Sequence, residues 1–192
     1  MEIQVSVAKV VRFQSSEGGE QVETMERPNG GLTVVLAEGK LNGQPSETIA
    51  KKAVQRLLAL IQEGIHDGAA TRAVLSKIKT EHHDTAGVKF SILSVDLVTG
   101  TIILTKNDSV PVVLIRNGEG ELISDYAEQV GYDPEKPSVY QFDIEKNFTI
   151  ILFSDGIANS GKDFGHTVRL STLVESLFEE STPSVYEIAD FV

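Results

Sequence analysis

Strand-like and helix-like stretches come in blocks along this 192-residue chain, not in strict alternation. Ile3, Val5 and Val7 alternate with Gln4 and Ser6, which predicts a half-buried opening strand. Val22 to Arg27 predicts a second strand, ended by Pro28-Asn29-Gly30-Gly31, and the apolar run Leu32–Ala37 predicts a buried third. Two helices follow a loop from Gly39 to Pro45. Ser46 is an N-cap residue, Glu47 suits the positive helix start, and Ala50, Val54, Leu57, Leu58, Ile61 and Ile65 recur at helical spacing. Gly64 and Gly68 end that helix. Asp67 is placed to cap a second one, with Ala70, Ala73, Val74 and Ile78 on one side and His82-His83-Asp84 at its close.

The middle of the chain returns to strands. Phe90–Leu97 and Thr101–Thr105 flank Thr99-Gly100, and Pro111–Arg116 and Glu121–Ile123 flank Asn117-Gly118; both read as hairpins. Tyr140–Ile144 and Thr149–Phe153 predict two more strands. Val168–Phe178 is amphipathic, and Thr182-Pro183 supplies a cap and a first-turn proline for a last helix over Tyr186–Val192. Strands, two helices, many strands and then helices make an α+β protein with antiparallel sheets, not a series of βαβ units.

Composition narrows the chemistry. Seventeen basic and 28 acidic residues leave a net charge of −11, which argues against nucleic acid and against an anionic membrane surface as partners. Cysteine is absent, so there is no disulfide, thiolate zinc site or cysteine nucleophile. The N-terminus lacks the basic start and apolar stretch of a signal peptide, and no stretch reaches the length of a membrane span; a cytoplasmic location is expected.

Two strand ends carry acids. Ile150-Ile151-Leu152-Phe153 is an apolar run read as a strand buried on both faces, followed by Ser154-Asp155-Gly156-Ile157. Such an end aims one hard oxygen ligand out of a rigid sheet, while the glycine lets the chain turn sharply, which suits Mg²⁺ or Mn²⁺. Leu32–Ala37 ends in the same way, in Glu38-Gly39. Each acid-glycine pair is also ordinary loop punctuation when taken alone.

Three stretches together resemble the metal-dependent serine/threonine phosphatases of the PP2C type, in particular their bacterial stage II sporulation protein E-like and stress-response branch. They are Thr33–Gly39 with its following loop and helix, Leu93–Gly100 with its return strand, and Ile151–Ile157; the likeness runs from about Gly19 to the C-terminus. It implies a four-layer αββα sandwich of two mostly antiparallel sheets flanked by helices, as one domain over residues 1–192. It further implies hydrolysis of phosphoserine or phosphothreonine on a regulatory protein, of the sigma-factor or stress-signalling class, by a water that two Mn²⁺ or Mg²⁺ ions hold and sharpen. Glu38 and Asp155 would be catalytic. Glu20, Glu38, Asp155 and the carbonyl of Gly39 would be metal ligands, and Lys40 would meet the substrate phosphate. No Gly-x-Ser-x-Gly elbow or Walker phosphate loop offers a competing mechanism.

The chain also departs from the family pattern. Glu20 and Glu38 stand where the family has aspartate, each lengthened by one bond of about 1.5 Å. Lys40 puts a cation beside the site, and Leu41 replaces a small residue. The chain stops at Asp190-Phe191-Val192, before the family's last, aspartate-bearing strands, for which Asp163 is a possible substitute. These departures carry the alternative expectation of a catalytically degenerate domain that binds regulatory partners. The adjacent His82 and His83 read as a solvated helix end, His66 as a helix terminus and His166 as a loop residue. Asp96 reads as a hairpin residue, and Asn107 and Asp108 as loop residues.

Overall fold

The computed structural model describes residues 2–9, 18–28, 30–116, 119–123, 136–160 and 183–191. In chain order the strands are β1 (Glu20–Glu26), β2 (Gly31–Leu41), β3 (Gln44–Pro45), β4 (Ala86–Asp96), β5 (Thr101–Lys106), β6 (Val112–Arg116), β7 (Glu119–Ile123), β8 (Ser138–Asp143) and β9 (Phe148–Ile151). The helices are α1 (Glu47–Gln62) and α2 (Asp67–Glu81), between β3 and β4, then α3 (Asp155–Ala158) and α4 (Val185–Phe191). The described residues fall into two compact units. The larger holds 18–28, 30–108 and 136–144, and the smaller holds 2–9, 109–116, 119–123, 145–160 and 183–191.

The larger unit is one antiparallel sheet in the order β1-β2-β4-β5-β8, with β3 also on β2. Its core lies between the sheet and the α1–α2 pair. Val35, Ala37, Phe90 and Ile92 are fully buried from the sheet side and meet Ala50, Ala53, Val54 and Leu57 of α1 and Ala70, Val74 and Ile78 of α2. Burying a side chain such as Phe90 contributes about 1.5–3 kcal/mol. The β1–β2 turn needs glycine at Gly31, whose φ is +103° and whose missing Cβ would lie 2.0 Å from the Val95 carbonyl oxygen.

Both helix starts and stops follow local chemistry. The Ser46 hydroxyl accepts from the Ile49 N–H at 3.4 Å, as its N-cap role requires. At the other end of α1, Gly64 (φ +88°) donates to Ile61 O and Ile65 donates to Leu60 O, both at 3.0 Å, a Schellman stop. In α2 the inward face is Asp67, Ala70, Thr71, Val74 and Ile78; Ala73 is exposed. At 100° per residue, Ala73 falls well outside the arc shared by those five, so apolarity alone misassigned it. Asp67 does not cap α2 either. His66 occupies the cap position and Asp67 is the first helical residue, buried, with its carboxylate 3.8 Å from Arg27.

A charged clamp joins the two helices. Arg56 donates a fork of hydrogen bonds to Glu81 at 2.7 and 2.9 Å, and Lys52 adds an ammonium at 2.9 Å. The Arg56 guanidinium, with Lys52 second, holds the Glu81 carboxyl down at about 2, against 4.5 for a free one. A carboxyl so lowered in the folded chain stabilises fully above pH 4.5, and that contribution fades as pH falls towards 2. Glu81→Gln is therefore expected to flatten the fall of the urea midpoint between those two pH values, measured by circular dichroism.

The smaller unit is a three-stranded antiparallel sheet in the order β7-β6-β9. Its central strand β6 buries Val112, Val113, Leu114 and Ile115 in succession, and Val110, Val113, Ile115 and Phe153 form its core with Ile151, Ile157 and Ala158. The Arg116 guanidinium stacks over the Phe148 ring at 5.2 Å and pairs with Glu145 at 3.6 Å. The expected opening strand is absent: residues 2–9 take no regular structure. Alternation alone does not make a strand without a neighbour to complete the ladder. The Asn117-Gly118 turn, Asp163, His166 and the Val168–Phe178 stretch lie outside the described residues.

Candidate metal centre

Glu20 and Glu38 are direct cross-strand partners in the β1–β2 ladder, and residues directly opposite share one face of a sheet. On the far side of Glu38, β4 places Lys89 in the same row. The Lys89 ammonium lies 3.5 Å from a Glu38 carboxylate oxygen; the Glu38 side chain is 11% exposed and that of Lys89 36%. The row thus runs acid, acid, ammonium across three strands. Two like charges directly opposite destabilise a sheet, and Lys89 offsets part of that cost.

β2 does not end at Glu38-Gly39, as the sequence suggested. It continues to Leu41 and turns through Asn42 (φ +52°) and Gly43 (φ +77°) into β3. Asn-Gly is the stronger hairpin signal, and it took the turn. Gly39 has a different reason to be glycine. A Cβ there would stand 2.5 Å from both Ala50 N and Ser46 O, because the first turn of α1 lies on the strand at that point. The Gly39 N–H donates to Gly19 O at 2.7 Å, and its carbonyl accepts from the Ser46 N–H at 2.8 Å. A carbonyl has two lone pairs, so this one retains capacity for a second partner.

Side chains alternate across a strand, so Glu38 and Lys40 share the face opposite Val35, Ala37 and α1. Lys40 is exposed, about 7 Å further along the strand. Lys89, on β4, is a cation that touches Glu38. Its signal was its place in a strand of known register, invisible until β2 and β4 are paired.

Asp155 belongs to the smaller unit. β9 ends at Ile151, and after buried Phe153 the chain enters α3 with Ser154 at the cap position and half-buried Asp155 as first helical residue. The sharp turn expected at Gly156 is a helical turn instead: Ala158 N donates to Ser154 O at 3.1 Å, and Asn159 N and Nδ2 both donate to Asp155 O. Ser-Asp-Gly is first-turn chemistry, with the acid at the positive end of the helix. The strand itself is half-buried along Phe148–Ile151, not buried on both faces.

Three residues read as loop or hairpin chemistry differ in their outcome. Asp96 is a hairpin residue: its carboxylate accepts from Val98 N at 2.8 Å and Thr99 N at 3.1 Å, and these bonds, the Thr99 one first, hold its carboxyl below the usual range. Asn107 and Asp108 are buried instead of looping out. The Asn107 side chain accepts from Phe90 N at 2.7 Å and donates to Val88 O at 3.1 Å, extending the β4–β5 ladder past Lys106. Asp108 accepts from the Ser91 hydroxyl at 2.7 Å and from the Lys106 ammonium at 3.1 Å.

The donors in the row fit a hard divalent cation: carboxylate and carbonyl oxygens, with neither sulfur nor imidazole among the residues proposed. The family model described as Stage II sporulation protein E (SpoIIE) matches residues 28–192. No curated protein matches the sequence. Among solved structures, the PP2C phosphatase domain with a fragment of the regulatory domain of the cell fate determinant SpoIIE from Bacillus subtilis is similar at a TM-score of 0.70 and 18% identity. That similarity covers 90% of this chain and 51% of the other, so this chain spans about half the length of that solved chain. The catalytic domain of the serine threonine protein phosphatase PstP, in complex with two manganese ions, is similar at 0.64 and 17% identity over 95% of this chain and 85% of its own. RsbX in complex with magnesium is similar at 0.64 and 15% identity over 94% and 81%. At these identities the likeness establishes the fold, which is that of the PP2C-type phosphatases.

Proposed function

Since this chain belongs to the stage II sporulation protein E family, we propose that it is a metal-dependent phosphatase acting on phosphoserine or phosphothreonine of a regulatory protein. The observation that carries the reading is the Glu20–Glu38 pair, two acids held opposite each other at one end of a rigid sheet. Glu20, Glu38, the Gly39 carbonyl and Asp155 are the proposed ligands of Mn²⁺ or Mg²⁺, two ions in number; Glu38 and Asp155 are the pair on which catalysis depends. When bound, such ions supply an activated water and neutralise charge on the transferring phosphoryl group. Manganese and magnesium in the PstP and RsbX structures support this choice of metal.

The residues of the chain have their own tasks. Glu20 and Glu38 present hard donors from neighbouring strands, so their spacing is set by the ladder and not by a mobile loop. Lys40, exposed on the same face, is placed to meet a phosphate as a point charge. A phosphorylated regulator of the sigma-factor or stress-signalling class is the proposed substrate, in the cytoplasm. No helix among the described residues is long and apolar enough to cross a membrane.

One observation favours a second reading. The ammonium of Lys89 already neutralises part of Glu38, which suits a degenerate domain that binds partners without hydrolysis. Phosphate release from a phosphoserine-bearing protein, with Mn²⁺ and then with chelator, separates the two. Release that follows the metal is expected; a folded protein that takes up no Mn²⁺ by calorimetry and releases nothing leaves the binding module.

A further inference from the structure

We propose that Lys89 is a tethered counter-ion that occupies part of the electrostatic place of the metal at Glu38 and sets how tightly this chain takes up a divalent cation. The inference rests on the metal-site reading above and concerns affinity, not the reaction. Three observations carry it. Register puts Lys89 directly opposite Glu38, on the side away from Glu20. The ammonium is 3.5 Å from the carboxylate. The Glu38 side chain is 11% exposed, so water screens the pair less than it would a surface ion pair.

Two consequences follow from Coulomb's law. Without metal, Lys89 compensates the repulsion between Glu20 and Glu38, so the row is tolerated in a folded sheet. With metal, the same fixed positive charge repels the incoming cation and competes for the Glu38 oxygens. Lys40 shares that face but lies along the strand rather than across from the acid, so its effect is expected to be smaller.

The test compares Mn²⁺ binding by titration calorimetry in the wild-type chain, Lys89→Met and Lys89→Arg, with folding checked by circular dichroism. Methionine keeps length and apolar stem while removing charge. Lys89→Met is expected to bind Mn²⁺ about 10-fold more tightly, to melt lower than wild type in chelator, and to gain more melting temperature from added Mn²⁺. Lys89→Arg keeps the charge and is expected to bind like wild type. Should Lys89→Met not fold, Lys89→Gln serves in its place. Unchanged or weaker Mn²⁺ binding by the neutral variant overturns the role given to Lys89, while wild-type uptake leaves the phosphatase reading standing. If neither the wild type nor any folded variant takes up Mn²⁺, the metal site itself is refuted, and this inference with it.

Discussion

Asp155→Asn is expected to leave a folded protein whose Mn²⁺-dependent phosphate release has dropped by more than 100-fold. The swap keeps the shape of the side chain and removes one charged oxygen. Loss of groups that merely orient metal ligands costs roughly 10–100-fold, and a proposed ligand should cost more. The structural side of the substitution is small. Asp155 is half-buried at the first position of the four-residue helix α3, where losing a carboxylate costs about 0.3–1 kcal/mol of helix-end electrostatics. The measurement is phosphate release from a phosphoserine protein beside a urea melt of the same preparation. A stable Asp155→Asn protein with wild-type turnover removes Asp155 from the mechanism.

Asp108→Ala is expected to cost about 3–5 kcal/mol of folding stability, the usual cost of removing one member of a buried ion pair. Lys106 is 1% exposed, and its ammonium has the Asp108 carboxylate at 3.1 Å. The same carboxylate takes the Ser91 hydroxyl at 2.7 Å, so alanine also leaves that donor short of its partner. Lys106→Met combined with Asp108→Ala removes both charges and should recover a large part of the loss. Urea denaturation of the two single variants and the double one checks this as a thermodynamic cycle. An additive double variant would show that the pair does not act as a unit.

Much of the fold was legible because most of its signals are local. Ser46, Gly64 and the 3.6-residue recurrence from Ala50 to Ile61 define α1 without reference to any partner, β4 and β5 appear as runs with the turn between them, and β8 appears as a run. The opening residues show the limit of that logic: Ile3, Val5 and Val7 alternate as a strand does, but pairing is a long-range property. At the candidate site the acids were legible and their setting was not. Glu38-Gly39 looked like a strand end, since its sequence does not reveal that α1 lies on Gly39 and that Asn42-Gly43 makes the turn. Lys89 and Asp108 depend on register and burial between segments about 17 to 51 positions apart, which no window of sequence displays. Acids favour helix starts, which points to Asp67 as a cap, whereas its angular position on α2 turns it inward.

β2 assigns alternate residues to two incompatible tasks. Val35 and Ala37 go to the oily side under α1, while Glu38 and Lys40 go to the other. Because side chains alternate along a strand, a slip of β2 by a single position against its neighbours would turn the Glu38 carboxylate and the Lys40 ammonium toward the helix-covered side and turn Val35 and Ala37 away from it. Gly31 and Gly39 each admit a backbone contact that no other residue would allow, and so pin the strand at its start and two residues before its close. Mispaired chains are thus penalised twice, by buried charge and by steric collision, and the acids that would hold the cation also act as proofreaders of their own alignment.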